Sequence, residues 1–358
     1  MSLDFVSNEE IIQEARRRVD QGIWDYLVGG SESETTLRRN RLAFDRIAFR
    51  PRILVDVSEI DPSTNLMGQR LRIPAILAPV GSLQVIHPDA AVDATKGATA
   101  FGIMQAVSSV TEPTLEEISA ATPTPKIFQL YVHGDMRWTE SLIRRAKKAG
   151  YAALTLTADV AHYSRRERVM VTRYTPPSRI VLPDRKYMAS LTWETMDLIK
   201  EIGGMPFILK GVQTAEDAEI AVQHGVDVIW VSNHGGRQID HGLGAMDTLP
   251  EIVQTVNGRA RIIVDGGVQR GSDILKAVAL GADLVALGRL QAWALAAGGM
   301  AGMVRMLEIL EDELICTMGL VGVAHIGQVT RKYVCKAEAV TPPHEMSAWV
   351  NMPRGRIV

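Results

Sequence analysis

From residue 72 to about residue 290, short apolar runs alternate with amphipathic segments at near-regular spacing. This alternation restricts the possible architectures more than any other feature of the chain. Eight runs read as strands: residues 73–79, 103–107, 126–131, 152–159, 206–210, 226–233, 261–265 and 283–288. Between them, residues 138–149, 215–224 and 273–280 carry apolar side chains at helical spacing. Gly150, Gly225 and Gly281 stand where helices end before a strand. Thr114-Leu115-Glu116-Glu117 and Thr214-Ala215-Glu216-Asp217 are capping sequences where helices begin. Eight strand–helix units predict an α/β fold of the parallel (β/α)8 TIM-barrel type. A doubly wound open sheet is the alternative, but the regularity favours closure. No linker interrupts the span, so residues 1–358 are read as a single domain: a helical prelude over 1–70, the barrel over 72–320 and a tail over 336–358. The prelude is expected to pack across one mouth of the barrel. The tail is expected to be a surface arm or subunit contact. Residues 168–191 read as an irregular stretch after the fourth strand, a candidate lid.

Composition excludes several classes of function. The chain is 46% hydrophobic with a net charge of -2, so no basic excess suggests a nucleic-acid or anionic-membrane surface. Cys316 and Cys335 lie far apart without metal-ligand spacing, which fits a reducing cytoplasm, no disulfide framework and no metal site. The N-terminus shows no basic-then-apolar pattern, so no signal peptide is expected. The longest apolar stretch, near Trp293 to Met306, is broken by glycines and Arg305, so no membrane span is expected.

If the barrel closes, the C-terminal strand ends converge, as they do where such barrels hold their active sites. Read in order, those ends carry Pro79-Val80-Gly81, Ser108, Gln129 and Tyr131, Thr157 and Asp159, Lys210, Ser232-Asn233-His234-Gly235-Gly236-Arg237-Gln238, Asp265-Gly266-Gly267, and Gly288-Arg289. Any one of these has an ordinary structural explanation, such as a barrel-edge aromatic for Tyr131 or a helix cap for Asp159. Their joint clustering at one end of apolar strands is poorly explained by packing. His234 and Arg237 combine a base with a carboxylate clamp, which is what proton abstraction beside a carboxylate needs. The glycines after the seventh and eighth strands expose backbone N–H groups and predict a phosphate site. That phosphate belongs either to a cofactor or to a substrate.

The heptapeptide 232–238 resembles the signature of the FMN-dependent α-hydroxy-acid oxidase and dehydrogenase family, which includes glycolate oxidase, lactate oxidase, flavocytochrome b2 and mandelate dehydrogenase. Asp25-Tyr26, Arg50-Pro51-Arg52, Gln129-Leu130-Tyr131, Arg165-Arg166-Glu167, Leu209-Lys210-Gly211, Asp265-Gly266-Gly267-Val268 and Gly288-Arg289 extend the resemblance in order from about Ser7 to Leu320. It implies FMN as cofactor and oxidation of an (S)-2-hydroxy acid to a 2-oxo acid. By the same resemblance, His234 is the base, taking the α-proton, or the hydroxyl proton if a hydride leaves the substrate. Asp159 pairs with its imidazolium. Arg237, Arg166 and Tyr26 hold the substrate carboxylate, and Tyr131 bonds the substrate hydroxyl. Lys210, Gln129, Thr157 and Ser232 face the flavin edge, with Pro79, Val80, Gly81 and Ser108 beside them. Asp265, Gly266, Gly267, Gly288 and Arg289 anchor the ribityl and phosphate groups. Electrons pass on to O2 or an external acceptor, and a homo-oligomer, tetramer or octamer, is expected.

Three departures qualify what the resemblance implies. Gln269 replaces the arginine usual after Asp-Gly-Gly-Val, with Arg270 next to it as a possible substitute. The loop after the fourth strand is shorter than in typical members and begins Val160-Ala161, which keeps open an alternative: oxidation of a biosynthetic precursor on the same barrel. It also argues against a membrane-inserting segment. Gly81 stands where oxidases usually have alanine, which leans the expectation toward a dehydrogenase.

Overall fold

The computed structural model describes residues 4–181 and 185–339. Eight parallel strands form its centre: β1 Ala75–Leu77, β2 Ala106–Ser108, β3 Ile127–Leu130, β4 Ala153–Thr157, β5 Phe207–Val212, β6 Val228–Val231, β7 Arg261–Asp265 and β8 Leu284–Leu287. Each hydrogen-bonds its sequence neighbour from β2 to β8, and β8 pairs with β1. A parallel bridge between Leu77 and Gln105 joins β1 to the β2 side. The ring is therefore a (β/α)8 barrel, and the open-sheet alternative is ruled out.

The strands are buried on both faces, as parallel strands between a packed interior and a helical ring must be. Hence they read as continuous apolar runs rather than alternating ones. Seven of the eight observed strands differ from the predicted runs by a residue or more at their ends, mostly because apolar side chains continue past the last ladder hydrogen bond; β2 and β5 run past their predicted ends to Ser108 and Val212, and β7 coincides with the predicted run. Thr114 and Thr214 cap their helices as expected, by accepting from the backbone N–H of Glu117 and Asp217.

The prelude contains three helices: α1 Asn8–Arg18, α2 Gln21–Val28 and α3 Thr35–Asp45. α1 and α2 are separated at Val19 and Asp20, where the backbone is extended. Asn8 donates to the Gln269 carbonyl at 3.2 Å, and α3 lies against Gly236, Gly266 and Gly267. The prelude thus covers the loops that follow β6 and β7. At the opposite end, the antiparallel pair Thr64–Leu66 and Gln69–Leu71 buries Leu66 and Leu71. The Asn65 carbonyl there accepts from Arg261, the first residue of β7.

The described residues of 168–181 and 185–191 are not wholly irregular. They hold the short helices Glu167–Val171, Pro177–Val181 and Lys186–Ala189. None is long enough to display a 3.6-residue period, so no pattern was legible. The helical segment Arg289–Val321 is long and apolar enough to cross a membrane by length and composition. It is broken at Gly298 and Gly299, and much of it is packed inside the molecule against α1 and Ala90–Phe101. Just where the tail begins, Val334–Lys336 pairs with Ile47–Phe49. Residues 340–358, on which the expectation of a surface arm rests, lie outside the described residues, as do 1–3 at the N-terminus.

Candidate active site

The C-terminal ends of β3 to β7 and the α2 segment converge on one pocket. It is lined by Tyr26, Tyr131, Arg166, Lys210, His234 and Arg237 and extends past Asp265, Gly266, Gly267 and Gly288. Beyond β6, His234, Gly235 and Gly236 have φ of 57°, 65° and 73° in succession. This left-handed turn points the chain back toward α3, where a side chain at position 236 would strike the Leu37 backbone at 2.6 Å. Only glycine fits there.

His234 is held from two sides. Its Nδ1 lies 3.0 Å from Asp159 Oδ1, and its backbone N–H donates to Ser232 Oγ at 3.0 Å. A neutral ring that donates from Nδ1 leaves the Nε2 lone pair free, and Nε2 is 3.5 Å from the Tyr131 hydroxyl. Burial lowers the imidazole below its usual value, with Asp159 opposing. Burial alone would raise the Asp159 carboxyl, but His234 and Lys210 outweigh it and hold it below the usual range. The pair is therefore a neutral base beside an ionised carboxylate, ready to hold a proton taken at Nε2. Burial pushes the Tyr131 phenol up, so it remains a hydrogen-bond donor.

Lys210 is buried and makes two contacts, 2.7 Å to Ser232 Oγ and 3.0 Å to Asp265 Oδ2. Asp265 also accepts from Ser232 Oγ at 2.7 Å and Trp230 Nε1 at 2.9 Å. Three strand ends are thus tied by one carboxylate. Gln129 donates to Thr157 at 2.9 Å, while its buried Oε1 has no partner. Ser108 is buried at the end of β2, its hydroxyl accepting from the Val110 N–H at 3.3 Å.

Arg237 donates to the Tyr26 and Gly29 carbonyls, each at 2.8 Å, with its guanidinium 5.2 Å from the Tyr26 ring centre. Tyr26 donates to the Gly81 carbonyl at 3.3 Å. Arg166 contacts Ser164, the Arg237 carbonyl and Gln238 at 3.3–3.4 Å. Arg289 donates to the carbonyls of Leu27, Gly235 and Gly29 at 2.8–3.1 Å. It clamps the prelude to the loop after β6, a role its sequence position did not reveal. Burial and neighbouring cations lower Arg237 to about 10 and Arg289 to about 9. Neither makes an ion pair with a carboxylate among the described residues, so the pocket holds uncompensated positive charge suited to anions.

Arg270 does not substitute for the missing arginine at Gln269. Its guanidinium pairs with Glu313 at 3.0 Å, and it is not among the residues lining the pocket. Arg41 lines the pocket instead. It is buried, donates to the Gly267 carbonyl at 2.8 Å and makes a two-point pair with Asp273 at 2.7 and 2.8 Å. Asn40 and Asn233 exchange amide bonds of 2.9 and 2.8 Å. Sequence reasoning passed over both prelude residues. The signal was present: Leu37, Asn40, Arg41 and Phe44 share one helical face, so two polar residues occupy core positions. Gln238, part of the 232–238 motif but given no role there, donates to the Asp159 carbonyl at 2.7 Å.

The family model for FMN-dependent dehydrogenase matches residues 15–185 and 182–336. Among relatives, glycolate oxidase 3 of Oryza sativa subsp. indica is 37% identical over 355 residues, covering 93% of this chain and 97% of its own. L-lactate oxidase of Nostoc sp. is 35% identical, with 91% and 96% covered. A crystal structure of mandelate oxidase superimposes with a TM-score of 0.88 at 34% identity, covering 94% of this chain and all of that one.

Proposed function

The chain belongs to the FMN-dependent dehydrogenase family, and from that premise we propose that it oxidises an (S)-2-hydroxy acid to the 2-oxo acid with His234 as base. The observation that carries this is the His234–Asp159 pair, whose Nε2 faces Tyr131 in a pocket that Arg166 and Arg237 also line.

The pocket suits FMN. Gly288 faces open space where a side chain would stand, and the unpartnered Gln129 Oε1 is an acceptor that a flavin ring N–H would satisfy. Gln129, Thr157, Lys210 and Ser232 would hold the ring, beside Pro79, Val80, Gly81 and Ser108. Asp265, Gly266, Gly267, Gly288 and Arg289 would hold the ribityl phosphate. When bound, FMN supplies the acceptor for the substrate's two electrons.

The protein's own part is positioning and proton transfer. Arg237 and Arg166 engage the substrate carboxylate through planar donor forks, and Tyr26 adds a hydrogen bond. Tyr131 donates to the substrate hydroxyl and stabilises charge that builds there. His234 Nε2 takes the proton, and Asp159 at Nδ1 stabilises the imidazolium that results. Lys210 keeps a positive charge at the cofactor's edge. The relatives matching nearly the whole chain are named as oxidases of glycolate, lactate and mandelate, which does not favour the precursor reading. The electrons then leave for O2 or an external acceptor.

A homo-oligomer, tetramer or octamer, is part of the proposal, supported by the exposed apolar Ile53 and Leu54. The exposed free thiols of Cys316 and Cys335 support a cytoplasmic location. The deciding experiment is anaerobic spectroscopy of the purified protein with (S)-2-hydroxy acids of graded size and charge. Bleaching of the flavin band by at least one is expected. A bound flavin that none of them reduces overturns the reading.

A further inference from the structure

Beyond Arg166, the loop after β4 brings Arg185 to the lining of the pocket and Arg179, outside that lining, to the same tyrosine ring. Arg185, Arg179 and Arg166 lie with their guanidinium carbons 4.3, 4.7 and 4.8 Å from the centre of one ring, that of Tyr163. Tyr163, Arg166, Ser178 and Arg185 line the same pocket as His234 and Arg237. Gathering cations this closely is unfavourable unless an anion joins them.

Away from Tyr163, several arginines of the described residues have carboxylate partners. Arg41 has Asp273, Arg168 has Glu34, Arg72 has Glu311 and Arg259 has Glu219, at 2.5–2.7 Å. The arginines on Tyr163 have none among the described residues. The neighbouring His133 offers no negative charge either. Its ring nitrogens are buried without a partner, and burial together with Arg185 lowers it to about 4, so it stays neutral. Arg166 and Arg237 account for one carboxylate, the one beside the reacting carbon. Arg185 and Arg179 remain.

We propose that the substrate carries a second anionic group on its side chain, held by Arg185 at the pocket wall, with Arg179 adding positive charge from the same Tyr163 ring. This deepens the 2-hydroxy-acid reading and rests on it. The class is a short 2-hydroxy acid ending in a carboxylate or phosphate. Its far end meets the Tyr163 cluster while its near carboxylate meets Arg237 and Arg166. A guanidinium binds such a group by charge-assisted, paired hydrogen bonds, and a site built for that contact rejects analogues lacking it.

The test compares acids of equal chain length with the flavin-loaded protein under anaerobic conditions: (S)-2-hydroxyglutarate against (S)-2-hydroxypentanoate, and (S)-2-hydroxysuccinate against (S)-2-hydroxybutanoate. A phosphate-bearing 2-hydroxy acid of similar length is a third arm and separates the two anion types. The dianion should be favoured in kcat/KM by about a hundredfold. Arg185→Met should reduce that ratio about thirty-fold, and Arg185→Lys should restore part of it. Calorimetry should show the same order without turnover, 2-oxoglutarate binding more tightly than 2-oxopentanoate, and more so at low salt. Equal or better use of the monoanionic acids overturns the proposal, as does an Arg185→Met variant that lowers both classes alike. Reduction by monoanionic acids alone sinks only this proposal. Failure of every 2-hydroxy acid to reduce the flavin sinks the underlying reading, and this one with it.

Discussion

Asp159 reaches His234 Nδ1 at 3.0 Å and has no partner for its other carboxylate oxygen, although that oxygen is buried. Such a carboxylate is maintained by its imidazole and by Lys210 nearby. The pair has a pH signature. Burial holds His234 below about 6.5, its ordinary value, and the neutral ring is the active form. kcat/KM should therefore rise with pH through an inflection below 6.5 and be level by neutrality. Asp159 acts to raise the imidazole, so Asp159→Asn should move that inflection to lower pH. The plateau should fall by about a hundredfold or more, since the imidazolium loses its counter-charge. An unmoved inflection would remove Asp159 from the proton-transfer step.

Lys210 connects to Ser232 and Asp265, which also takes the Trp230 indole N–H. In Lys210→Met, the buried Asp265 keeps two neutral donors and loses its cation. The variant should fold with stability lower by about 3 kcal/mol, and flavin reduction at saturating substrate should slow by at least tenfold. Chemical denaturation and stopped-flow absorbance read the two effects separately. An unchanged reduction rate would confine Lys210 to a structural role.

Arg41 and Asp273 form a buried two-point pair whose cation also holds the Gly267 carbonyl. Breaking it in Arg41→Met should cost about 3–5 kcal/mol, because Asp273 is left charged and buried. Pairing Arg41→Met with Asp273→Leu should recover part of the stability. It should not recover flavin affinity, since the loop of Gly266 and Gly267 still lacks its tie to α3. Flavin retention on gel filtration and urea unfolding separate the two. Parallel recovery of both would show that Arg41 serves the fold alone.

The barrel was legible because parallel strands buried on both faces leave unbroken apolar runs, and β7 coincides with its predicted limits over 261–265. The pocket was legible because polar residues such as Lys210 and Ser232 interrupt those runs at one end only. The contribution of α3 was hidden: Asn40 and Arg41 meet Asn233 and Gly267 from about 190 or more residues away, and no local pattern reports so distant a partner. The gathering of Arg179 and Arg185 with Arg166 around Tyr163 was hidden for a related reason. Their loop folds into single helical turns, whose side chains gather by tertiary placement rather than by period.

Gly81 in place of the usual alanine leaned the expectation toward a dehydrogenase, a matter of how oxygen meets the reduced flavin, but the structure supplies a nearer constraint. A methyl group at this position would stand 2.8 Å from Val110 Cγ2, with Ser108 Oγ at 3.7 Å. Val110 is β-branched and has few rotamers with which to withdraw. The Gly81 carbonyl also accepts from Tyr26, so a shift of the backbone would disturb a proposed substrate contact. Gly81→Ala should therefore lower stability by about 1–3 kcal/mol and raise KM, and adding Val110→Ala should reverse most of both. Thermal unfolding and oxygen consumption measured on the single and double variants decide between the two roles. If Gly81→Ala leaves the melting temperature unchanged but alters turnover in air, packing against Val110 is not the reason for the glycine, and control of oxygen access becomes the better account.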